Sequence, residues 1–375
     1  MTRTDDFDFP REGFPIPLDP AAALRSREYF STSPYYFHDK HAESIIRTSS
    51  WYYKDPVLAV IYYPPREYAA VSLSLANPFQ RPSSNGLGSL DRLPLELLFK
   101  IFYSLDMRSL LKFRQANLIS REMIHYLTQY DKIAVHALNP LCALLRTGLA
   151  VHVSLLEFYN ALCTKTCSFC KEFGGFICLP IWKRCCFECM QDSPETQLQP
   201  LYAMQEQFSI PESKLERKQL RLFDYLSGVY TMNETIYDSK YRQTLVSLHQ
   251  LALVCKRKST PPKDQSIRKH PPEPYNFMGA CALPYYDKST GEVDSGLRCA
   301  GCLIARRYEI ISRSRMELEY GVSSEKAFTR ADYLDHFRWC ACAQYLWETS
   351  DEGRQVPDDL LWTARLGGVF QRKRD

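Results

Sequence analysis

The clearest pattern of hydrophobic positions along the chain lies between residues 90 and 126. After Pro94, apolar residues recur at steps of three and four as far as Leu105, which is the spacing of one face of an α-helix. Asp106 is a suitable N-cap residue for a second short helix, and Asn117 and Ser120 offer a stop and the start of a third. The pattern therefore predicts three consecutive short helices. A unit below about 40 residues seldom closes its own core, so we expect its apolar stripe to be buried against something else.

Two runs within this segment carry a family resemblance. They read Leu93-Pro94-x-Glu96-x-Leu98-x-x-Ile101-Phe102-x-x-Leu105 and Leu110-Leu111-x-Phe113-Arg114. Together they resemble an F-box, the motif that docks onto the small adaptor of cullin-RING ubiquitin ligases. The resemblance implies that the adaptor is bound by Leu93, Pro94, Leu98, Ile101, Phe102, Leu105, Leu110 and Leu111. An ordinary amphipathic helix hairpin within a larger core is the alternative.

The periodicity and the proline content predict the structure of the regions before and after residues 88–130. The segment before the F-box is rich in proline and tyrosine and lacks sustained periodicity, so we expect it to be largely disordered, with aromatic clusters such as Tyr35-Tyr36-Phe37 docking locally. Leucines in a helical rhythm over 131–162 predict helices that extend the core behind the F-box, and further helices are predicted over 215–230 and 241–254. The predicted regions are 1–87 (largely disordered), 88–130 (F-box), 131–255 (helical), 256–275 (basic, proline-rich linker) and 276–375 (C-terminal region).

Composition narrows the function classes that fit this pattern. The chain has 47 basic and 43 acidic residues in 375, a net charge of +4, which is too small to indicate a nucleic-acid partner by itself. The N-terminus lacks the apolar stretch of a signal peptide, and no stretch is apolar enough to span a bilayer. We therefore expect a soluble protein of the cytoplasm, the nucleus or both, without a membrane partner. In a reducing compartment its 14 cysteines favour metal ligands or buried thiols over disulfides.

The first cysteine cluster lies in residues 163–195. Cys167-x-x-Cys170 and Cys186-x-x-Cys189 are two doublets at the separation that is typical of a four-cysteine zinc site. The residues between them predict a turn at Gly174-Gly175, a short hairpin, and a helix that begins near Cys189. All four positions of a structural Zn²⁺ are filled, which leaves none for a catalytic water. Cys163, Cys178 and Cys185 are spare cysteines, any of which could replace one of these ligands. The alternative is that the cysteines of this cluster are simply buried thiols.

The second cluster combines Cys299-x-x-Cys302 with His336 and Cys340. His336 and Cys340 are four residues apart, so on a helix they would lie on one face. These residues predict a Cys₃His zinc site, with Cys281 and Cys342 as competing ligands. A core histidine with unrelated cysteines is the alternative. The cysteine-rich C-terminal region is also similar to those of F-box proteins from filamentous fungi.

The predicted fold is mainly α: an N-terminal three-helix F-box unit is followed by an α-rich body with small zinc-stapled α+β modules. The sequence contains no Gly-rich phosphate loop, no His-Glu-x-x-His and no Gly-x-Ser-x-Gly motif. We therefore expect a non-catalytic subunit of a ubiquitin ligase that binds the adaptor through the F-box and presents a zinc-stabilised region to an unknown protein substrate. The alternative is a zinc-dependent nucleic-acid-binding protein that uses the basic segments 256–269 and 372–374.

Overall fold

Helices make up most of the secondary structure, and small sheets accompany them, as the mainly α class predicts. The structure is a computed structural model, which describes residues 31, 33–51, 61, 71, 74–75, 86–208, 221–232, 235–239, 243–255, 275–305 and 326–356. The chain divides into two units. The first unit comprises Met1–Trp51, Cys299–Ser324 and Ala331–Asp375, and the second comprises Tyr52–Arg298 and Glu325–Arg330. The first unit thus joins segments from both ends of the chain, which the predicted boundaries treat as separate regions.

The elements of the described residues have the following bounds. The α-helices are α1 (Ala42–Ser49), α2 (Leu95–Ser104), α3 (Met107–Arg114), α4 (Leu118–His125), α5 (Thr128–His136), α6 (Leu138–Arg146), α7 (Leu155–Leu162), α8 (Phe187–Asp192), α9 (Leu201–Phe208), α10 (Leu248–Cys255), α11 (Tyr275–Met278), α12 (Arg330–Phe337) and α13 (Ala341–Glu348). The strands are β1 (Ser50–Trp51), β2 (Phe176–Cys178), β3 (Lys183–Cys185), β4 (Leu198–Pro200), β5 (Phe223–Asp224), β6 (Gly228–Met232), β7 (Thr235–Ser239), β8 (Thr244–Ser247), β9 (Ala280–Ala282), β10 (Tyr285–Tyr286), β11 (Val293–Asp294) and β12 (Arg298–Cys299). Residues 300–305 are also helical, and short 3₁₀ helices occupy Asp39–His41, Gly88–Arg92, Leu149–His152 and Pro194–Thr196.

Polar side chains cap the two helices that follow α2. Asp106 accepts a hydrogen bond from the Ser109 N–H group at 2.9 Å, and Asn117 accepts one from the Ser120 N–H group at 2.7 Å. Each bond satisfies a main-chain donor that the first turn of a helix leaves without a partner. The predicted N-cap Asp106 is confirmed, whereas α4 is capped by Asn117 and begins before Ser120, the expected start. Pro94 is the N-cap residue of α2, one position earlier than the first turn that the sequence predicted for it.

The core of the second unit combines the F-box-like helices α2–α4 with α5–α7. α2 and α5 both pack against α7, and α3 packs against α4. The turn after α2 is also paired through the main chain, because the Met107 N–H group donates to the Val153 carbonyl at 2.8 Å and the Leu155 N–H group donates to the Leu105 carbonyl at 3.2 Å. The helices over 131–162 thus extend the core behind these three helices, as expected, whereas Leu97 and Ile101 of the predicted stripe stay exposed. Fully buried members of this core include Phe102, Leu110, Ile124, Tyr130, Leu144, Leu155 and Phe158.

Small antiparallel sheets complete the second unit. β2 lies between β3 and β9, with Phe176 opposite Cys185 on one side and Ala282 on the other. β8 lies between β4 and β5 in a second sheet. β6 pairs with β7, and β10 pairs with β11. The first sheet thus joins residues near 180 to residues near 280, across the boundary that the sequence predicted at 256–275.

The helices predicted over 215–230 and 241–254 are wrong in part. Residues 215–220 lie outside the described residues, but the structure forms strands β5, β6 and β8 where those helices were expected. Only the end of the second prediction is confirmed, by α10. Leu245 and Val246 are fully buried in β8, a central strand with a partner on each side. Leucine spacing alone does not distinguish such a strand from a helix, and pairing with distant strands decides the outcome.

Helices α1, α12 and α13 belong to the first unit. α1 packs against α13 and buries Ile45 and Ile46. The Tyr333 hydroxyl group of α12 donates to the Ser49 carbonyl at the end of α1, at 2.6 Å. Because both partners are buried, this hydrogen bond fixes α12 against α1.

The N-terminal segment 33–51 departs from the disorder predicted for 1–87, because it contains α1 and β1. Local docking of its aromatic residues is confirmed: the rings of Tyr35 and Phe37 meet the ring of Phe337 edge-on, with centroid distances of 5.5 and 5.7 Å. Most of the remaining N-terminal region lies outside the described residues. So does the predicted linker 256–275 apart from its last residue.

Replacement of Phe102 by alanine tests whether α2 belongs to the shared core. We expect Phe102→Ala to lower the free energy of unfolding by about 3–5 kcal/mol, because it leaves a cavity among α2, α3 and α7. The matched variant Leu97→Ala alters an exposed residue of the same helix, and its effect should stay within about 0.5 kcal/mol. Denaturant unfolding followed by circular dichroism measures both values. Equal losses in the two variants would contradict the packing of α2 described here.

Candidate metal centres

Four cysteine side chains of the second unit converge on one point. The Sγ atoms of Cys167, Cys170, Cys186 and Cys189 all lie within 4.8 Å of one another, and those of Cys170 and Cys186 are 3.5 Å apart. Sulfur atoms at about 2.3 Å from a tetrahedral metal ion lie about 3.8 Å from each other. The spacing fits such a site, and the structure brings together all four residues that the sequence singled out.

Local structure holds the two cysteine pairs of this cluster opposite each other. The first pair lies in a turn that closes at Lys171, whose backbone is left-handed with φ 70°. Cys186 follows strand β3 directly and is the N-cap residue of α8, so the predicted order of hairpin and helix is confirmed. The Ser168 N–H group donates to the Arg184 carbonyl at 2.9 Å. This bond fastens the first turn to the strand that delivers the second pair.

Hydrogen bonds already favour negative charge on the sulfur atoms. The Phe169 N–H group points at Cys167 Sγ and the Cys189 N–H group points at Cys186 Sγ, each at 3.4 Å. The hydrogen bond from the Cys186 side chain holds the pKa of Cys167 below its usual range, and the same contact raises the pKa of Cys186. Burial raises the pKa of Cys189 to about 12. Four thiolates this close repel one another, so a divalent cation is what stabilises the fully deprotonated set.

A second cluster lies within the first unit. The ligand atoms of Cys299, Cys302, His336 and Cys340 all lie within 4.8 Å of one another. Cys302 Sγ is 3.3 Å from His336 Nε2, and Cys299 Sγ is 3.7 Å from Cys340 Sγ. The three cysteines are fully buried, whereas the imidazole is partly exposed. All four predicted residues are again brought together, with one nitrogen and three sulfur donors.

The main chain delivers His336 and Cys340 differently from the prediction. α12 ends at Phe337 and Cys340 is the N-cap residue of α13, so the two ligands do not share one helix face. A turn joins them instead, in which the Cys340 N–H group donates to the His336 carbonyl at 3.1 Å. The other pair repeats the arrangement of the first cluster, because the Cys302 N–H group donates to Cys299 Sγ at 3.4 Å.

Gly301, between Cys299 and Cys302, also shapes the second cluster, and it was not among the predicted site residues. A Cβ atom at this position would lie 2.3 Å from the Ala343 main-chain nitrogen of α13. Only glycine therefore allows residues 300–305 to approach α13 closely enough for Cys302 to reach Cys340. Its place between the two cysteines of the doublet was the available sequence signal.

The spare cysteines lie outside both clusters. Cys178 and Cys185 are buried in β2 and β3, where desolvation raises the pKa of both thiols, that of Cys178 to about 12. Cys281 is buried in β9 and donates to the Ile61 carbonyl, and Cys163 is partly exposed after α7. Cys342 is buried in α13. Within the described residues, the two groups that could hold metal ions consist only of the eight predicted ligands.

The eight residues predicted to bind an adaptor separate into three groups. Leu98, Phe102, Leu110 and Leu111 are buried in the core of the second unit. Leu93 and Leu105 are partly buried and pack against that core. Pro94 and Ile101 are exposed, and so are Leu95 and Leu97, which the sequence analysis did not include. Four of the predicted contacts therefore serve the chain's own packing.

The chain matches no protein-family model, no curated protein and no solved structure. Within the described residues, no helix has the length and apolar character needed to cross a membrane. The basic segments 256–269 and 372–374, on which the nucleic-acid alternative depends, lie outside the described residues. The two metal centres and the exposed face of α2 are therefore the features on which a function can be argued.

Substitution of Gly301 tests how the second cluster is assembled. We expect Gly301→Ala to weaken metal binding at this cluster and to lower the free energy of unfolding by about 1–3 kcal/mol, because the methyl group overpacks the contact with α13. Gly175→Ala is the matched control, since a Cβ atom there meets its nearest neighbour at an ordinary 3.8 Å. Cobalt(II) titration followed by thiolate charge-transfer absorption gives the number of occupied sites. Two full sites in Gly301→Ala would contradict this account.

Proposed function

We propose that this chain is a non-catalytic F-box subunit of a cullin-RING ubiquitin ligase and that its two metal centres hold structural Zn²⁺. In this proposal the adaptor binds the outer face of α2, and the zinc-stabilised remainder of the chain selects a protein substrate. The sequence resemblance over residues 93–114 and the exposure of apolar side chains on α2 support the first part. The donor sets of the two clusters support the second.

The outer face of α2 is the observation that carries the proposal. Leu97 and Ile101 are four residues apart, hence on one side of the helix, and they are 44% and 40% exposed. Leu95 in the first turn is 49% exposed. Leu98 and Phe102 on the inner side are almost fully buried. Neighbouring exposed apolar side chains on one face of a helix are typical of a protein-binding surface, and the F-box resemblance points to the adaptor as the partner.

The proposed adaptor contacts are fewer than the sequence resemblance implied. Pro94 and Ile101 remain from that set, with the partly buried Leu93 and Leu105 at the edges, and Leu97 is added. The four buried members of the set position this surface through their packing. Adaptor binding on this face is compatible with the chain's own core, because no buried side chain has to leave it.

The choice of zinc rests on the chemistry of the donors. Four thiolates, or three thiolates and one imidazole, in a tetrahedral arrangement are typical of structural Zn²⁺ sites. Each cluster fills all four positions, so neither leaves one for a substrate or a catalytic water. The ions would therefore contribute to folding rather than to a reaction.

The proposed subunit would act by bringing two proteins close together. A subunit that binds an adaptor at one surface and a substrate at another raises the effective concentration of the substrate's lysines near the ligase, without a new chemical step of its own. This agrees with the lack of catalytic motifs in the sequence.

A negative charge introduced on the outer face of α2 tests adaptor binding. We expect Leu97→Asp and Ile101→Asp each to weaken binding of the purified adaptor by about 100-fold or more, because each buries an unpaired carboxylate in the interface. Val135→Asp is the matched control: Val135 is likewise exposed, on α5, and outside the proposed surface. Isothermal titration calorimetry measures the affinities. Undiminished affinity in both α2 variants would contradict the docking role.

Salt dependence separates this proposal from the nucleic-acid alternative. Binding through apolar side chains should change little between about 50 and 200 mM salt, whereas phosphate contacts predict a fall of orders of magnitude over that range. Adaptor titrations at both salt concentrations, with single-stranded and duplex oligonucleotides as competing ligands, distinguish the two.

Metal analysis tests the two zinc sites. We expect the purified chain to hold two Zn²⁺ ions, one in each cluster. Cys186→Ser should lose one ion and expose residues 163–195 to protease, since metal binding in small zinc modules supplies about 10–16 kcal/mol of folding free energy. Cys163→Ser, which alters a neighbouring cysteine outside both clusters, should keep two ions. Protease resistance that survives in Cys186→Ser would contradict the first site.

A further inference from the structure

Two arginine side chains of the second unit meet the main chain at Ser74. Arg114, the last residue of α3, donates from Nη2 to the Ser74 carbonyl at 2.5 Å and to the Leu75 carbonyl at 3.2 Å. Arg121 of α4 donates to the same Ser74 carbonyl, and its Nη2 atom lies 3.4 Å from the Ser74 hydroxyl oxygen. Residues 71 and 74–75 are helical, and Ser74 is exposed whereas Leu75 is buried. The Ser74 hydroxyl is therefore accessible and lies directly beside a guanidinium group.

Arg114 is a buried cation whose partners are neutral. It is only 4% exposed, both of its hydrogen bonds go to main-chain carbonyls, and its Nε atom is buried without an acceptor. In the part of the chain that the structure describes, no carboxylate lies within ion-pair distance of it. Burial lowers the pKa of Arg114, and the neighbouring Arg121 cation lowers it further. A buried charge of this kind is costly, and an anion beside the two guanidinium groups would offset the cost.

We propose that Arg114 and Arg121 form a binding site for a phosphate group on Ser74. A phosphate on Ser74 Oγ carries between one and a half and two negative charges, roughly, and three strong acceptor oxygens. It would lie beside the Arg121 guanidinium group, with Arg114 at the adjoining carbonyl, and would place negative charge close to the buried Arg114 cation. Phosphorylation would thereby fasten Ser74 and Leu75 more firmly to α3 and α4. This inference does not depend on adaptor binding by α2.

The modification is a phosphoryl transfer from ATP by a serine kinase. The bond between the γ-phosphorus and the bridging oxygen of ADP breaks, and a bond from the γ-phosphorus to Ser74 Oγ forms. The hydroxyl proton passes to the base of the kinase, and ADP leaves. The exposure of Ser74 makes its oxygen available for this transfer.

Phosphorus NMR of the full chain tests the site. One preparation carries phosphoserine at position 74, introduced during translation, and the control carries it at the exposed loop residue Ser227. We expect the Ser74 phosphate to titrate at a lower pH than the Ser227 phosphate, whose pKa should stay near about 6, because guanidinium groups favour the dianion. Phosphate at Ser74 should also raise the melting temperature by about 2–4 °C. Identical titrations at the two positions would overturn the proposal.

Arg121 variants make the test specific. In the chain phosphorylated at Ser74, Arg121→Gln should return the titration toward that of the Ser227 phosphate, and Arg121→Lys should retain part of the shift because it keeps the charge. A Ser74 titration that Arg121→Gln leaves unchanged would overturn the role of this arginine. Should Arg121→Gln fail to fold, the comparison of the two phosphoserine positions in the unsubstituted chain still decides between the outcomes.

Discussion

The packing of the inner face of α2 is the constraint on which the proposed function depends. Leu98 and Phe102 are buried against the rest of the second unit, and the Phe102 ring lies 4.9 Å, centroid to centroid, from the ring of Phe113. These contacts fix the rotation of the helix about its own axis. Because side chains three or four residues apart share a face, Leu97 and Ile101 then necessarily lie outside. The core therefore decides which apolar side chains of α2 face outward, and those side chains form the proposed adaptor surface.

The metal centres relate to a different constraint. The strands and helices around them are short, and a bound ion would stabilise them. The strands beside the first cluster are three residues long, and strands this short are marginal without further support. A metal ion bound across the two cysteine pairs would close the hairpin of β2 and β3 at its open end. In the first unit the three cysteine ligands are fully buried among short helices, so a bound ion would add to the stability of this small core. Both sites would thus stabilise the fold, whatever function the chain has.

The parts of the structure that the sequence predicted well are those set by local chemistry. Asp106 caps α3 because its side chain reaches a main-chain donor three residues away. The cysteine doublets were identified because a tetrahedral ion restricts the spacing of its ligands. Both inferences need only a few neighbouring residues, and both are confirmed.

The parts that the sequence predicted poorly depend on partners far along the chain. β8 is a strand because β4 lies on one side of it, some 45 residues earlier, and a leucine pattern cannot report that partner. The same reason explains the F-box-like positions. Leu97 and Leu98 are equally apolar neighbours, and only the position of α7 decides that Leu98 is buried and Leu97 exposed. The prediction that His336 and Cys340 share one helix face was wrong because α12 ends before Cys340. A turn brings the two ligands together instead.

Two buried arginines of the second unit show how hydrogen bonding separates a structural cation from one that can take a ligand. Arg184 donates from Nε, Nη1 and Nη2 to the carbonyls of Gly174, Ala161 and Leu283, at 2.5, 2.7 and 2.7 Å. Burial lowers its pKa to about 9, yet its guanidinium group is bonded on every side and joins three segments of the chain. Arg114 is buried to a similar degree, but its two hydrogen bonds both come from Nη2 and its Nε atom has no acceptor. Because a buried donor without an acceptor costs free energy, the fold leaves at Arg114 a site that an added anion stabilises, and it leaves none at Arg184.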